Sequence, residues 1–181
     1  MNQTLERPPE TKVYKLKRYQ DRFVFTKKRF PALVSAWGTG KTLALITKAL
    51  YSCKEFKDNL GMIVRKEFTD LRDSTIKDFE KYTNMKLNSS RDAVFPNGSV
   101  IMFRHLEELH GNNLQNMNLG FFGIEQGEEL ESDEVFMKLR GRLRREGVEH
   151  WGGLIANTNG HNWIYNTWKV APAEDFELSE A

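Results

Sequence analysis

This chain of 181 residues lacks several features that define large classes of proteins. It contains one cysteine, Cys53, so no disulfide can form within the chain, which suits a reducing compartment. No run of about 18 apolar residues occurs, which argues against a membrane-spanning helix. The polar N-terminus lacks the apolar core of a signal peptide. The four histidines have no spacing typical of a metal site. We therefore expect a cytosolic protein.

The chain also has little net charge. Its formal charge is +2, so attraction of the whole chain to nucleic acid is not indicated, although basic residues cluster at 12–28 and 138–145. Hydrophobic residues make up 39% and charged residues 29%, which is ordinary for a globular domain with a real core. No internal repeat or low-complexity tract is present.

Apolar runs of strand length alternate with segments of helical periodicity. The predicted strands lie at 32–35, 60–65, 119–124 and 153–156, and the predicted helices at 20–25, 41–56, 67–82, 133–144 and 163–168. A β-hairpin is expected at 95–103, with its turn at Asn97-Gly98. This order predicts an α/β fold with a central, mostly parallel sheet that helices cover on both faces.

The most informative motif joins the first long strand–helix pair. The pattern G-x-x-x-x-G-K-[ST], or Walker A, wraps nucleotide phosphates in backbone N–H groups, while its lysine reaches the β- and γ-phosphates and its hydroxyl ligates Mg²⁺. Serine replaces the first glycine here, and the motif reads Ser35, Ala36, Trp37, Gly38, Thr39, Gly40, Lys41 and Thr42. The alternative is a glycine-rich turn with a chance lysine. Because strand, glycines, Lys-Thr and helix occur in the required order, the motif predicts ATP binding. Trp37 is expected to pack against the helix, and stacking on a ligand is the alternative.

Polar residues follow two later predicted strands. Glu125 ends the run 119–124, and parallel strand ends converge beside a phosphate loop, so Glu125 is a candidate Mg²⁺ ligand. The alternative is a strand cap that begins an acidic segment. Asn157 and Asn159 follow the run 153–156 and could bond a γ-phosphate or a lytic water; an Asn/Gly-rich turn is the alternative.

Two further segments carry candidate ligand contacts. Gln20 lies about fifteen residues before the loop, and its amide can donate to and accept from an adenine edge. A solvated amphipathic helix explains Gln20 equally well. The densest basic cluster could neutralise transition-state charge on a neighbouring subunit's nucleotide, bind DNA phosphates, or complement a helix dipole. Its members are Arg140, Arg142, Arg144 and Arg145.

Taken in order, these motifs resemble the ATPase part of the large terminase subunit of tailed bacteriophages. The matching segments are the one around Gln20, the phosphate loop, 63–74, 95–103, GIEQGEEL (123–130), GRLRR (141–145) and ANTNGHNWIY (156–165). The resemblance implies a P-loop NTPase fold of the RecA/ASCE-like type and a motor that uses ATP and Mg²⁺ to drive double-stranded DNA into the procapsid. It also implies a ring of subunits, a portal protein and a small terminase subunit as partners, and the host cytoplasm as location.

Residue roles follow from the same resemblance. Thr42 and Glu125 would hold Mg²⁺, and an arginine among Arg140, Arg142 and Arg144 would act on a neighbouring subunit's nucleotide. The family often has an arginine where Trp37 stands, and a second acid, the catalytic base, where Gln126 stands. A glutamine positions water but cannot take its proton. Either Glu125 or Glu128 serves as base, or hydrolysis is slow, or Gln126 traps bound ATP.

The resemblance also suggests a division of the chain. Residues 1–28 would be an arm with the adenine-motif segment, 29–170 the P-loop ATPase domain, and 171–181 a C-terminal tail. No acid cluster of an RNase H-type nuclease is seen, so no nuclease activity is expected. Two alternatives stay open: the first motor domain of a DNA or RNA helicase, and an ATP- or DNA-binding module that does not hydrolyse ATP.

Overall fold

A computed structural model describes residues 13–109 and 112–180. Within them, seven strands form one sheet in the order β3-β4-β2-β5-β6-β1-β7. Neighbouring strands are parallel except for the antiparallel pair β3 and β4. The strands are β1 (Phe30–Val34), β2 (Leu60–Arg65), β3 (Asp92–Val94), β4 (Val100–His105), β5 (Phe121–Glu125), β6 (Trp151–Ala156) and β7 (Phe176–Glu180). The predicted mostly parallel sheet is confirmed.

Helices connect the strands. They are α1 (Arg18–Phe25), α2 (Lys41–Glu55), α3 (Phe68–Asp70), α4 (Lys77–Thr83), α5 (Asn112–Gln115), α6 (Glu134–Arg140) and α7 (Trp163–Tyr165). A π-helical stretch, Leu71–Ile76, joins α3 to α4, and a second, Asn166–Val170, follows α7. Short 3₁₀ turns lie at Leu106–Leu109 and Gly127–Glu129. No helix of the described residues is long and apolar enough to cross a membrane.

The sheet separates two hydrophobic cores. Helices α1, α2 and α4 cover one face, where Leu45 and Phe79 are fully buried. Helices α5, α6 and α7 cover the other, where Phe136 is buried. Neighbouring residues of β6 alternate between the cores, since Leu154 belongs to the second and Ile155 to the first. This is the period of two that a strand imposes, and it places helices on both faces, as predicted.

The structure departs from the sequence prediction in two segments. The helix expected at 133–144 ends at Arg140, because Leu119 donates its backbone N–H to Arg142 O at 2.8 Å and pairs as a parallel bridge with Leu143. Residues Phe176–Glu180, assigned from the sequence to a tail, form strand β7 alongside β1. The hairpin turn at Asn97-Gly98 is confirmed, and Gly98 has a φ of +84°. The loose arm predicted for 1–12 lies outside the described residues.

Candidate functional site

Parallel strands bring several polar side chains to one edge of the sheet. The carboxyl ends of β1, β2, β5 and β6 all point to this edge, which therefore carries the loop after Val34, Arg65, Glu125 and Asn157. In doubly wound sheets this is the edge at which ligands bind.

Two glycines give the loop between β1 and α2 its shape. Gly38 and Gly40 have φ angles of +71° and +82°, a region that side chains with a Cβ rarely adopt. A Cβ on Gly40 would also lie 2.5 Å from Nε2 of Gln20. Ser35, at the position of the usual first glycine, is accommodated because its Oγ lies 2.5 Å from Oγ1 of Thr39.

Lys41 crosses the mouth of the loop. Its Nζ donates to Ser35 O at 3.1 Å, Ala36 O at 2.8 Å and Asn157 Oδ1 at 2.8 Å, which uses all three ammonium hydrogens. Burial lowers the pKa of Lys41, and the carboxylates of Glu128 and Glu125 partly offset this effect. The lysine thus links the loop to the end of β6.

Glu125 is buried between two hydroxyl groups. Thr42 donates from Oγ1 to Glu125 Oε1 at 2.6 Å, and Thr75 donates to Oε2. Burial raises the pKa of Glu125, while both hydrogen bonds and the charge of Arg65 act in the lowering direction. A hydroxyl and a carboxylate in contact form a donor set that suits Mg²⁺, which prefers oxygen ligands, and a cation would offset the cost of burying this charge.

Thr75 is the residue of this site that the sequence analysis missed. It lies in the π-helical stretch Leu71–Ile76 and is fully buried. A signal was available, because Thr75 stands four residues after Leu71 and four before Phe79, on the apolar face of the predicted helix. A polar residue on such a face needs a partner, and here that partner is Glu125.

A second carboxylate lies beside Lys41. Asn157 donates from Nδ2 to Glu128 Oε1 at 2.5 Å, so the Asn157 amide joins Glu128 to the lysine. The other oxygen, Glu128 Oε2, is buried and has no hydrogen-bond partner among the described residues. Glu128 therefore keeps one free acceptor at the edge that carries the loop.

Gln126 points to a different partner. It adopts a left-handed conformation with a φ of +51°, and its Oε1 accepts from Arg65 Nη2 at 2.6 Å. The same nitrogen lies 3.6 Å from Glu129 Oε1. Arg65 is itself buried at the end of β2. The Gln126 amide, at the position where the catalytic base is expected, is therefore hydrogen-bonded to the buried guanidinium of Arg65.

The side chains of Gln20 and Trp37 contribute to the loop in different ways. Gln20 donates from Nε2 to Thr39 O at 3.1 Å and Gly40 O at 2.9 Å, and its Oε1 accepts from Lys17 N at 2.8 Å. It therefore supports the loop from behind, and its contact with adenine stays a prediction. The expectation that Trp37 packs against the helix is wrong, because 77% of this residue is exposed.

The arginine cluster lies at the opposite edge of the sheet. Arg140 stacks over Phe30, the first residue of β1, at 4.8 Å from the ring centroid. Arg142 donates from Nη1 to Gln115 O at 2.8 Å, and its backbone is bonded beside the start of β5. Neither side chain reaches the loop of its own chain.

Asn159 is exposed and lines a cavity near Asn157.

A strand, a glycine loop and a helix, followed by a buried acid on a parallel strand, define a P-loop NTPase fold. Among solved structures, the chain is similar to the large terminase ATPase domain of Thermus phage P74-26, with a TM-score of 0.64, 16% identity, and coverage of 93% of this chain and 81% of that chain. It is also similar to the large terminase of a thermophilic bacteriophage, with a TM-score of 0.73 and 11% identity.

That second match covers 92% of this chain but 46% of the terminase, so the chain spans about half of that protein's length. Related structures of the same terminase contain ADP or ATP-γ-S. The Phi-28 gp11 DNA packaging motor is similar at a TM-score of 0.57 and 12% identity, over 90% of this chain and 59% of that one. No family model and no curated protein matches the sequence. The similarity therefore establishes the fold, which is the one the terminase resemblance predicts.

Proposed function

We propose that this chain is the ATPase motor domain of a phage large terminase, which couples ATP hydrolysis to translocation of double-stranded DNA into a procapsid. The observation that carries the proposal is the contact of Thr42 with Glu125 at 2.6 Å, at the mouth of a loop whose lysine is held by the next strand. This arrangement places three groups close together: the phosphate-binding loop, the Lys41 ammonium, and the oxygen atoms of Thr42 and Glu125.

The roles of the loop residues follow from their contacts. Backbone N–H groups at the start of α2 would bind the phosphates, and Lys41 would exchange Asn157 Oδ1 and loop carbonyls for β- and γ-phosphate oxygens. Thr42 and Glu125 would hold Mg²⁺, which neutralises charge on the phosphates when bound. Asn157 and Asn159 would respond to the γ-phosphate, Asn157 through its bond to Lys41.

Glu128 is the base that the geometry favours. Gln126 cannot take a proton, and both oxygens of Glu125 accept hydroxyl bonds. Glu128 has one oxygen fixed by Asn157 and one without a partner among the described residues. That oxygen is buried in this conformation, so it would orient a lytic water and accept its proton once the site opens to admit the water.

Assembly belongs to the same proposal. Arg140 and Arg142 lie at the edge opposite the loop, so they would act on the nucleotide of a neighbouring chain in a ring. The portal protein, the small terminase subunit and double-stranded DNA would be the partners of that ring, in the host cytoplasm.

Turnover of ATP by the isolated chain tests the proposal. Lys41→Ala should abolish nucleotide binding and turnover, whereas Lys54→Ala, on the exposed side of the same helix, should leave both unchanged. Glu128→Gln should retain binding and lose turnover. ATP turnover that persists in Lys41→Ala would contradict the proposal that this chain is an ATPase of the P-loop type.

One observation favours a second candidate, an ATP-binding module that does not hydrolyse ATP. Gln126 stands at the family's base position and is held by Arg65. Equilibrium binding of ATP without phosphate release, with release appearing in Gln126→Glu, would support the module over the motor.

A further inference from the structure

A cavity of about 190 Å³ lies at the edge of the sheet opposite the phosphate loop. The end of α1 and the segment before β1 form one side of it, the second half of α2 forms another, and the residues that lead into β6 close it. Strands β1 and β6 begin beside the cavity, whereas their other ends carry the phosphate loop and Asn157. The proposed ATP site therefore makes no use of it.

Lys48, in the middle of α2, places a buried charge at this cavity. The residue is 4% exposed and is part of the cavity lining. Its Nζ donates to Val24 O at 2.9 Å and lies 5.1 Å from the ring centroid of Trp151, and it forms no ion pair with the described residues. Lysine is rarely so deeply buried without a paired charge. Two of the three ammonium hydrogens therefore lack an acceptor in the part of the chain that the structure describes.

Ser52 adds a second donor beside Lys48. The two residues are four positions apart in α2, so they share one face of the helix, and both line the cavity. The buried Ser52 Oγ accepts from Trp151 Nε1 at 2.7 Å, while its own hydrogen has no acceptor among the described residues. Buried donors are normally paired. Two neighbouring donors without acceptors indicate a ligand that supplies oxygen acceptors.

Two more lysines lie at the mouth of the cavity. Lys27 and Lys28 line it with exposed side chains. Lys27 pairs with Glu149 at 3.7 Å, but these side chains are 83% and 68% exposed, and such surface pairs contribute little. Lys28 donates to the backbone oxygen of Glu174 at 2.7 Å. Among the described residues the lining holds three lysines and one carboxylate, so the cavity attracts anions.

We propose that this cavity is an anion site, separate from the phosphate loop, which binds a phosphate group between the Lys48 ammonium and the Ser52 hydroxyl. Phosphate fits better than a carboxylate, because it brings nearly two negative charges and at least three acceptor oxygens to a cluster of donors. Lys27 and Lys28 would turn towards its outer oxygens.

The size of the cavity limits the ligand. Pockets for drug-sized molecules have volumes of about 300–1,000 Å³, so this one holds a smaller molecule than a nucleotide. Phe25 and Tyr51 line the cavity, are half exposed, and meet edge to face with ring centroids 5.5 Å apart. They offer an apolar surface to a small substituent. The phosphate group can thus belong to inorganic phosphate or to a small phosphomonoester.

Phosphate binding is measured by calorimetry in the Lys41→Ala chain, because the phosphate loop would itself bind the same ion. In this background Lys48→Met should raise the Kd of inorganic phosphate more than tenfold, and Ser52→Ala about tenfold, since each removes a hydrogen bond to a charged group. Lys54→Ala removes an exposed lysine of the same helix outside the cavity and should leave the Kd unchanged. The wild-type chain saturated with a non-hydrolysable ATP analogue and Mg²⁺ is a second background, because its loop is already filled.

Phenyl phosphate distinguishes the two sources of the group. Tighter binding of phenyl phosphate than of inorganic phosphate, with the gain lost in Phe25→Ala, supports a site for a phosphomonoester. Equal binding of the two probes supports a site for the free ion.

Proton uptake gives a readout that a mere loss of packing would not change. Burial and the charge of Lys27 lower the pKa of Lys48 to about 8, while Glu149 and Glu177 act in the raising direction. A bound anion raises this pKa, so sulfate, which does not titrate near pH 8, should bind there with uptake of protons from the buffer. Lys48→Met should show no such uptake at saturating sulfate. The other titratable side chains of the lining are the same in both chains: Lys28, Tyr51 and His150.

The outcomes separate this site from the proposed ATPase. A phosphate Kd that Lys48→Met leaves unchanged would overturn the anion site, as would the absence of phosphate binding in both backgrounds or of proton uptake with sulfate. ATP turnover tests the other proposal on its own, because it should persist in Lys48→Met and disappear in Lys41→Ala. A melting curve of each variant without phosphate verifies that it folds.

Discussion

Replacing Thr75 by valine tests whether the Glu125 carboxylate depends on its two hydroxyl partners. Valine keeps the branched shape of threonine and removes the Oγ1 that donates to Glu125 Oε2. Thr75 is fully buried and Glu125 is 3% exposed, so water cannot replace the lost donor without opening the site.

The magnitude follows from the charge of the acceptor. A hydrogen bond to a charged group contributes about 1.5–3 kcal/mol, so Thr75→Val should lower the free energy of unfolding by about that amount where Glu125 is ionised. Burial already raises the folded-state pKa of Glu125 above its ordinary value of 4.5. Between that value and the folded-state pKa the folded chain binds more protons, so stability falls as pH rises.

Removing the Thr75 donor raises the folded-state pKa of Glu125 further, so this pH-dependent fall becomes larger in the variant. Denaturant unfolding at pH 4 and pH 8 should therefore show a smaller penalty for Thr75→Val at the lower pH than at the higher. Thr47→Val removes a hydroxyl that donates to a backbone carbonyl at 2.7 Å and serves as the control. A penalty equal at both pH values, or no greater than that of Thr47→Val, would refute this account.

Three further predictions concern other parts of the chain. Burial lowers the pKa of Lys48 to about 8, below the 10.5 of an ordinary lysine, so the unfolded chain binds more protons between these values and stability should rise with pH across them. Unfolding measured at pH 7 and pH 10 should show this rise in the wild type and not in Lys48→Met. Burial raises the pKa of the Cys53 thiol to about 12, so a thiol reagent should label the folded chain only as fast as the fold opens to expose this thiol. After denaturation the reagent should label one thiol per chain. Rapid labelling of the native chain would contradict the burial of Cys53. Finally, Arg142→Ala and Lys41→Ala chains, each inactive alone, should recover turnover when mixed, because one supplies the arginine and the other the phosphate site; mixtures that stay inactive would count against a role in a neighbouring site.

Local sequence signals predicted those elements whose ends depend on local chemistry. Strand β2 occupies the predicted residues 60–65, since an unbroken apolar run bounded by polar residues specifies a buried parallel strand. Helix α2 begins at Lys41, as predicted, because Gly40 in a left-handed conformation stops any helix from starting earlier.

Features that depend on distant segments could not be read in this way. The contact of Thr75 with Glu125 joins residues 50 positions apart, and that of Arg65 with Gln126 joins residues 61 apart. Both contacts require β2 and β5 to be neighbours in the sheet, and the local sequence does not indicate which strands are neighbours. Strand β7 was missed for a related reason: its alternating polar residues become a strand only because β1 offers an edge to pair with.

The two carboxylates near Lys41 differ in surroundings, and this difference argues for a division of roles. Glu125 has both oxygens engaged by hydroxyls and is buried deeply enough that its pKa is raised, so a cation bound by Thr42 and Glu125 would favour its charged form. Glu128 has one oxygen fixed by Asn157 and the other buried without a partner among the described residues, so one acceptor position is left uncommitted. Pairs of acids placed in unlike environments commonly divide binding from proton transfer. Gln126 therefore need not imply an inactive chain, because Gln126 can bond Arg65 while Glu128, two residues further on, serves as the proposed base.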